Sequence, residues 1–325
     1  MNTNFHPRAS ARTRRGFCLC CMTAAGFTVS GRWLTPRQAY AQAQGIVGGI
    51  RAAAAEAPII VHHLRGGIGM LEGSGGNIAV LGGRDGKLLI DSGITASRSR
   101  IEEALGAFGR EPIRHLVNTH WHFDHADGNA WMAEAGATIT AHPNTRKYLA
   151  MTQRVEDWDF DFPPAPIAAL PTRLVRGEEA MRLNGATVTV REYAPAHTDS
   201  DLSVFFAEAD ILHTGDTFWN NAYPFIDYST GGSIDGTIRA AEANLAASAE
   251  SSIVIPGHGP VGTRRDLRDC HDMLVDIRGR VAALKRQGRG LEEVIAARPT
   301  AAHDARWGDF VIAPAFFTRL VYMGV

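Results

Sequence analysis

Short apolar runs recur along the chain and alternate with segments whose apolar residues repeat with a helical period. Runs rich in Val, Ile and Leu and bounded by Gly, Pro, Asn or Asp are typical of strands. Longer stretches with apolar residues three and four apart indicate helices. Strands and helices that alternate in this way predict an α/β fold. We predict strands at residues 77–81, 87–90, 115–118, 137–141, 187–193, 202–207, 210–213 and 252–255, and helices at 97–108, 128–134, 143–151, 234–247 and 264–286.

Two parts of the chain interrupt this alternation. Residues 157–171 are rich in Asp, Phe and Pro, and we expect an irregular loop there without a helix or strand. Residues 264–325 hold the last helix and then an aromatic tail, which we interpret as a packing extension because the segment is short for a separate domain. The aromatic residues of this tail are Trp307, Phe310, Phe316, Phe317 and Tyr322.

The first 41 residues have the features of an export signal that is cleaved. Arg14-Arg15 precede a stretch of small and apolar residues at 16–30, and small residues at 39–43 offer a cleavage site. This pattern favours a twin-arginine signal and predicts a periplasmic protein. An ordinary Sec signal and a disordered basic tail are the alternatives. We expect residues 42–325 to form a single domain.

Charge and cysteine content narrow the function. Residues 1–41 contain six Arg and no acidic residue, so removing them changes 33 basic and 34 acidic residues to 27 and 34, a net charge of −7. A nucleic-acid partner is therefore not expected. No apolar run reaches the ~20 residues that span a bilayer, so we expect no stable membrane insertion. Of four Cys, three precede residue 42, which leaves Cys270 as a buried thiol without a disulfide partner.

The densest group of metal-binding residue types lies at residues 118–129, Asn-Thr-His-Trp-His-Phe-Asp-His-Ala-Asp-Gly-Asn. His120 and His122 are two residues apart, so on an extended segment their side chains point the same way. Asp124 and His125 follow as the chain turns and must point elsewhere. This spacing indicates two adjacent metal ions. Trp121 and Phe123 alternate with these residues and should point away from the metals into the core.

Three single residues further along the chain lie in similar surroundings. His197, Asp216 and His258 each follow or adjoin an apolar run and stand among Gly, Pro or Thr, as expected at the end of a strand. Each alone is more often structural, and they become candidate ligands because they follow the cluster. The other histidines are expected to be structural, at positions His62, His63, His115, His142, His213, His271 and His303.

This ordered series of residues resembles the ligand series of the metallo-β-lactamase superfamily over roughly residues 60–260. The resemblance implies an αββα sandwich with the metal site at one edge of two stacked sheets. It also implies that His120, His122 and His197 bind the first ion, that Asp124, His125 and His258 bind the second, and that Asp216 bridges both. Imidazole and carboxylate ligands without a thiolate suit two zinc ions, with iron or manganese possible.

The same resemblance implies a mechanism. A hydroxide bridging two zinc ions attacks the substrate, and Asp124 orients it and then transfers a proton. Asp91 follows a strand and is either a hydrogen-bond acceptor for a ligand histidine or a turn aspartate. Residues 157–171 resemble the variable loop that overhangs such sites. Residues 217–227 resemble a loop of exported members named as quinoprotein-relay or sulfur-oxidation hydrolases, where Tyr223 or Asn221 could donate to an oxyanion or simply pack.

We predict a zinc-dependent hydrolase that opens a small ester, lactone or amide bond of a small-molecule substrate in the periplasm. A β-lactamase is one alternative, and a mononuclear-iron persulfide dioxygenase is another. A redox diiron protein, a metal carrier and a nuclease fit the residues less well. The sequence leaves the substrate, the native metal and the oligomeric state open.

Overall fold

The computed structural model describes residues 46–325. The predicted export signal lies outside the described residues. The chain between residues 60 and 263 contributes the strands of two large β-sheets and of a separate small hairpin. In chain order the strands are β1 Ile60–His63, β2 Ile68–Glu72, β3 Ile78–Leu81, β4 Lys87–Ile90, β5 Ile113–Val117, β6 Thr138–Ala141, β7 Gln153–Val155, β8 Phe160–Phe162, β9 Arg173–Leu174, β10 Glu178–Leu183, β11 Ala186–Glu192, β12 Leu202–Phe206, β13 Ile211–His213, β14 Ile253–Ile255 and β15 Gly262–Thr263.

The first sheet has the strand order β1-β2-β3-β4-β5-β6-β9, and the second runs β10-β11-β12-β13-β14-β15. Neighbouring strands are parallel from β4 to β9 in the first sheet and between β13 and β14 in the second, and the other pairs are antiparallel. The carboxyl ends of β4, β5 and β6 therefore meet at one edge, as do those of β13 and β14. Loops that follow parallel strands at such an edge are the usual place for a site in α/β proteins.

Helices cover both outer faces of the paired sheets. The helices are α1 Ile46–Glu56, α2 Arg98–Leu105, α3 Phe123–Ala126, α4 Asn129–Glu134, α5 Pro143–Leu149, α6 Ile234–Ala247, α7 Arg264–Arg286, α8 Leu291–Ala296, α9 Asp304–Trp307 and α10 Pro314–Met323. Within residues 46–325, no helix combines the length and apolar character needed to cross a bilayer.

The alternation of side chains along β3 shows how the layers are built. Ala79 and Leu81 pack in the cluster between the two sheets, with Val188 and Phe206 of the second sheet among their neighbours in it. Ile78 and Val80 point the other way, into a cluster that includes residues of α2 and α4. All four residues of β3 are buried because both faces of the sheet are covered. The predicted αββα sandwich is confirmed.

Predicted and observed elements agree best where packing and capping signals coincide. Helices α6 and α7 begin and end at the predicted residues, and the Thr263 hydroxyl accepts a hydrogen bond from the Asp266 amide at the start of α7. All eight predicted strands are present within about two residues of the expected bounds. Seven further strands are missed, among them β10, whose Glu-Glu-Ala-Met-Arg-Leu sequence has only its last residue buried.

The expectation that residues 157–171 hold no element is wrong. This segment includes β8, which pairs with β7 in the small hairpin, and two short 3₁₀ turns. The tail after α7 packs as predicted, since Trp307 and Phe317 are buried in the same apolar cluster as residues of α6 and α7. Cys270 is buried within α7 and has no disulfide partner among the described residues.

Candidate functional site

The seven candidate ligands come from four loops at the common edge of the two sheets. Residues His120–His125 follow β5, and Asp216 follows β13. His258 follows β14, and His197 lies in the loop between β11 and β12. Because β13 and β14 are parallel neighbours, the residues after them emerge side by side.

The turn predicted after His122 is a single turn of helix. His122 occupies the position before α3, and Asp124 and His125 lie in that helix. The rings of His120 and His122 have their centres 4.7 Å apart, as their spacing on an extended segment predicted. The chain then redirects Asp124 and His125 toward a neighbouring position, so one short motif supplies two groups of side chains.

The structure brings all seven candidates together in two adjacent groups. His120, His122, His197 and Asp216 form one group, and Asp124, His125 and His258 form the other. Within each group the potential ligand atoms lie within 4.8 Å of one another, and all seven residues are buried.

Asp216 contacts both groups. Its Oδ2 lies 3.5 Å from His197 Nε2 and 3.4 Å from His258 Nε2, and its Oδ1 lies 3.1 Å from His125 Nε2. A carboxylate in this position has an oxygen for each group. The bridging role that the resemblance implied for Asp216 stays a prediction.

Hydrogen bonds fix the orientation of two rings in the first group, those of His122 and His197. His122 Nε2 lies 3.0 Å from an oxygen of Asp227, and His197 Nδ1 lies 2.8 Å from the carbonyl oxygen of Phe225. Both partners are acceptors, so these ring nitrogens carry the protons. His122 Nδ1 and His197 Nε2 are then unprotonated and face each other at 2.9 Å. Two lone pairs this close repel each other unless a cation lies between them.

Asp91 orients one histidine of each group. It accepts a hydrogen bond from His125 Nδ1 at 2.8 Å, so His125 Nε2 is directed into the cluster, 3.1 Å from Asp216 Oδ1 and 3.4 Å from His258 Nε2. It also accepts from the Thr119 hydroxyl, whose oxygen lies 3.0 Å from His120 Nδ1. His120 Nε2 is left buried without a hydrogen-bond partner. Of the two interpretations of Asp91, the structure supports the acceptor for a ligand histidine.

The charge of the cluster favours cations. Burial would raise the pKa of Asp216, but His125 and His258 outweigh it and hold that pKa well below its usual value. Burial would lower the pKa of His125, yet Asp216, Asp124 and Asp91 raise it well above its usual value. In the same way, Asp216 and Asp124 overcome burial and raise the pKa of His258 to about 9. Without a metal, the carboxylates of this cluster favour the protonated forms of His125 and His258.

These features fit divalent metal ions. The opposed lone pairs of His122 and His197, the unpartnered His120 Nε2 and the carboxylate between the groups are each satisfied by a cation. Imidazole and carboxylate donors without a thiolate suit zinc, and they also permit iron or manganese.

A deep cavity of about 240 Å³ opens beside the ligands. Asp124, Asp216, His122, His197 and His258 line one side of it. The opposite wall is apolar and comes from both ends of the described chain and two loops. We call it the apolar cavity, and its wall residues include Ile50, Trp158, Phe225, Val311, Ile312 and Phe316.

The structure does not bring the two proposed oxyanion donors to this cavity. Tyr223 is fully buried, its ring stacks on Phe317, and its hydroxyl donates to the Asp304 carboxylate 3.0 Å away. Asn221 is exposed in a neighbouring cavity, and its Oδ1 accepts a hydrogen bond from Arg306. Tyr223 therefore packs in the core, which is the alternative that the sequence analysis gave for this loop.

The remaining aromatic and histidine predictions are partly correct. Trp121 is buried against Tyr148 and Phe162, as expected, but Phe123 also lines the apolar cavity. The tail after α7, predicted only to pack, contributes Phe310 and Phe316 to the cavity wall. His213 is structural, as predicted, since it is buried in β13 with its Nε2 directed at a backbone carbonyl.

Three supporting residues were missed by the sequence analysis. Asp227 orients His122 from 105 positions away in the chain, so no local pattern connects the two. Asp201 is buried and accepts hydrogen bonds from the His197 and Thr198 amides, which shapes the loop that carries His197. Burial raises the pKa of Asp201 to about 6 even though His197 and Thr198 act to lower it. Gly257 leaves the space beside Asp216 open.

Comparisons with known proteins agree with this geometry. The family model described as the metallo-beta-lactamase superfamily matches residues 71–258. An atrochrysone carboxyl ACP thioesterase of Aspergillus fumigatus is 26% identical over 163 residues, which are 49% of this chain and 45% of the thioesterase. The chain therefore spans less than half the length of that relative.

Two solved structures resemble the fold at low sequence identity. A sec-alkylsulfatase from Pseudomonas sp. superposes with a TM-score of 0.62 at 16% identity, over 85% of this chain and 51% of the sulfatase. A metallo-beta-lactamase from Pontibacter korlensis gives a TM-score of 0.54 at 16% identity, over 67% of this chain and 99% of that protein. At this identity the likeness is one of fold.

Proposed function

The chain belongs to the metallo-β-lactamase superfamily of metallohydrolases, and on that premise we propose that it is a dinuclear zinc hydrolase that opens an ester, lactone or amide bond. The observation that carries the proposal is the pair of complete ligand groups joined by Asp216. His120, His122 and His197 would hold one ion, and Asp124, His125 and His258 the other. Two such ions would supply an acidified water as nucleophile, with its pKa lowered to roughly 7, and would polarise the bond under attack.

The protein side chains then determine how the reaction proceeds. Asp124 lines the apolar cavity, and its Oδ2 lies 3.2 Å from His258 Nε2. Burial would raise the pKa of Asp124, but His125 and His258 outweigh it and lower that pKa, so the carboxylate is ionised. An ionised carboxylate here can orient the attacking water, take its proton and pass it to the leaving group.

A histidine can bind a metal only through an unprotonated ring nitrogen, so the tautomer of each buried histidine must be fixed. Asp227 and the Phe225 carbonyl fix His122 and His197, and Asp91 fixes His125. These bonds direct an unprotonated nitrogen of each ring into the cluster. They also hold the rings in place before substrate arrives, which reduces reorganisation during the reaction.

An acyl substrate is supported by the name of one relative. The Aspergillus fumigatus protein is a thioesterase, and hydrolysis of an ester or thioester needs the same attack on a carbonyl carbon. A mononuclear-iron dioxygenase would leave the Asp124, His125 and His258 group without a role, although Asp91 orients His125 within it. β-Lactam hydrolysis remains the second candidate, because an amide in a strained ring is open to the same attack.

We further propose that the protein acts in the periplasm after twin-arginine export. The support is the sequence of residues 1–41, with Arg14-Arg15 before an apolar stretch. Export of the folded chain would let the metals bind before the protein leaves the cytoplasm. Fusing residues 1–45 to a reporter, with an Arg14→Lys, Arg15→Lys control, tests the route. Export that survives the double substitution would contradict it.

Hydrolysis itself is tested by a panel of 4-nitrophenyl esters, γ- and δ-lactones and a chromogenic β-lactam. The protein as purified should hydrolyse at least one carbonyl class. Removing the metals with a chelator should abolish the activity, and adding zinc should restore it. Activity that persists in protein shown to be metal-free would refute the proposal.

A further inference from the structure

The wall of the apolar cavity is uniform in chemical character. Among the described residues, every lining side chain outside the seven candidate ligands is aliphatic or aromatic, or is the hydrogen of Gly75. Phe225, Trp158 and Phe316 form a stack of rings beside the ligand histidines, with the Trp158 and Phe225 ring centres 4.9 Å apart. Apart from the indole N–H groups of Trp158 and Trp219, the second of which is buried without a hydrogen-bond partner, a substrate group entering this space meets hydrocarbon on the sides that the candidate ligands do not occupy.

Positive charge is missing from the same surface. No lysine or arginine lines the apolar cavity within residues 46–325. The two arginines that lie over its aromatic rings are each paired with a carboxylate. Arg51 lies 5.4 Å from the centre of the Phe123 ring and 3.0 Å from Asp127, and Arg319 lies over Phe316 and pairs with Asp157.

A second cavity continues from the other side of the site and has the opposite polarity. It shares Gly75, His258 and Phe310 with the apolar cavity, so the site lies where the two meet. Its described lining residues include the carboxylates Glu72 and Asp309 and again no lysine or arginine. Within the described residues, an anionic substituent would therefore find no lysine or arginine lining either cavity, and it would face Glu72 and Asp309 in the second.

We infer that the substrate carries a bulky, uncharged apolar group beside the bond that is cleaved, and that the site disfavours substrates with an additional carboxylate. This inference rests on the proposed function and specifies its substrate class. The apolar cavity is far larger than the ~10–15 Å³ that one water needs, so a chain of several carbons or a ring fits. Each methylene placed in an apolar pocket typically changes kcat/KM by about 10–200-fold.

A substrate of this kind ranks the candidate substrate classes. β-Lactam antibiotics that carry a carboxylate beside the ring would find no lysine or arginine to pair with it among the described residues that line the two cavities. An uncharged ester, thioester or lactone with an alkyl or aryl substituent has no such cost. Long-chain or aromatic acyl compounds are therefore preferred over carboxylate-bearing β-lactams as substrates.

The first test compares three 4-nitrophenyl esters with the metal-loaded protein. The octanoate and the mono-ester of suberic acid have the same chain length, but the second ends in a carboxylate, and the acetate lacks the chain. We expect kcat/KM for the octanoate to exceed that for each of the other two by about 10-fold or more. Hydrolysis with equal or higher kcat/KM for the suberate or the acetate would overturn the inference and leave the proposed function intact.

A pair of lysine substitutions tests the role of charge. Val311 lines the apolar cavity and is 38% exposed, whereas Val275 on α7 is 43% exposed and lies outside both cavities. Val311→Lys should lower the ratio of kcat/KM for the octanoate to kcat/KM for the suberate by about fivefold or more, since a lysine near the chain can pair with the suberate carboxylate. Val275→Lys should leave the preference unchanged. Equal ratios in the two variants would overturn the role assigned to charge.

Binding without turnover separates this inference from the proposed function. Trp158 and Trp219 line the apolar cavity, so their fluorescence reports occupancy. Octan-2-one should bind about 10-fold or more tightly than butan-2-one, and Phe316→Ala should weaken octan-2-one binding by a similar factor. If none of the esters, lactones and amides tested is hydrolysed but this pattern holds, the proposed function fails, whereas the preference of the cavity for an uncharged apolar group is retained. Equal affinities for the two ketones would overturn the inference.

Discussion

Replacing Asp227 with asparagine would test how far a residue that binds no metal controls the site. Asp227 is buried, and its carboxylate accepts hydrogen bonds from His122 Nε2, the Ser229 amide and the hydroxyls of Ser229 and Thr230. An asparagine side chain has nearly the same shape but only one acceptor oxygen, and its amino group faces donors. The substitution therefore removes the negative charge and leaves part of the donor set unsatisfied.

The expected magnitude follows from these contacts. A neutral acceptor holds the His122 tautomer less firmly, and loss of such a partner typically weakens metal affinity by about 10–100-fold. Since each factor of ten is about 1.4 kcal/mol, the loss in metal-binding free energy is ~1.4–2.8 kcal/mol. A buried donor left without an acceptor costs a further ~1–3 kcal/mol of folding stability.

Metal affinity should be measured by competition with a chromogenic chelator and stability by denaturant unfolding of the metal-free protein. Ser229→Ala is the matched control, because it removes a donor to the same carboxylate without contacting His122. We expect Asp227→Asn to weaken metal binding by about 10-fold or more and Ser229→Ala to change it by less than about threefold. Unchanged affinity in Asp227→Asn, or equal losses in both variants, would refute the role assigned to Asp227.

Three further predictions concern the cluster itself. A Cβ at Gly257 would overlap Asp216 Oδ1, so Gly257→Ala should lower metal affinity by about 10-fold or more. Gly279→Ala on α7 is the control, because the added methyl meets no atom within 4 Å, and it should leave metal affinity unchanged in the same titration. Asp124→Ala should lower kcat by about 100-fold or more while circular dichroism stays native, and near-wild-type turnover would contradict its role in proton transfer. Chelation of the metals should lower the midpoint of thermal unfolding by roughly 5–10 °C in calorimetry. The reason is that each ion at 100 times its dissociation constant contributes about 2.7 kcal/mol to the stability of the folded chain. An unchanged midpoint would contradict metal binding to the folded chain.

Short-range patterns predicted the α/β alternation and the cluster from His120 to His125, whereas the resemblance to the superfamily implied the αββα sandwich and the full ligand series. Period-two alternation and apolar runs locate strands such as β4 and β13, and the motif from His120 to His125 places four candidates within six residues. The lone residues His197, Asp216 and His258 follow or adjoin strands, so their order was informative before their distances were known. That these three residues join the cluster in space was implied by the resemblance and not by local patterns.

The features of the site that the sequence could not predict depend on contacts between segments that are distant in the chain. Ile50 and Phe316 lie near opposite ends of the described chain yet share one cavity wall, and nothing local marks either as facing a site. Tyr223 was an attractive donor because it follows Asp216 closely, but Phe317 and Asp304 of the C-terminal segment hold its ring and hydroxyl in the core. Closeness in sequence to a ligand is weak evidence for closeness in space once the chain has turned.

Metal content per chain tests the central claim most directly. Elemental analysis should be made on protein produced with its export signal intact and purified without added metal. The two ligand groups joined by Asp216 predict about two zinc ions per chain. About one iron per chain, with no second metal, would contradict the dinuclear hydrolase and favour oxygen-dependent chemistry at a single ion.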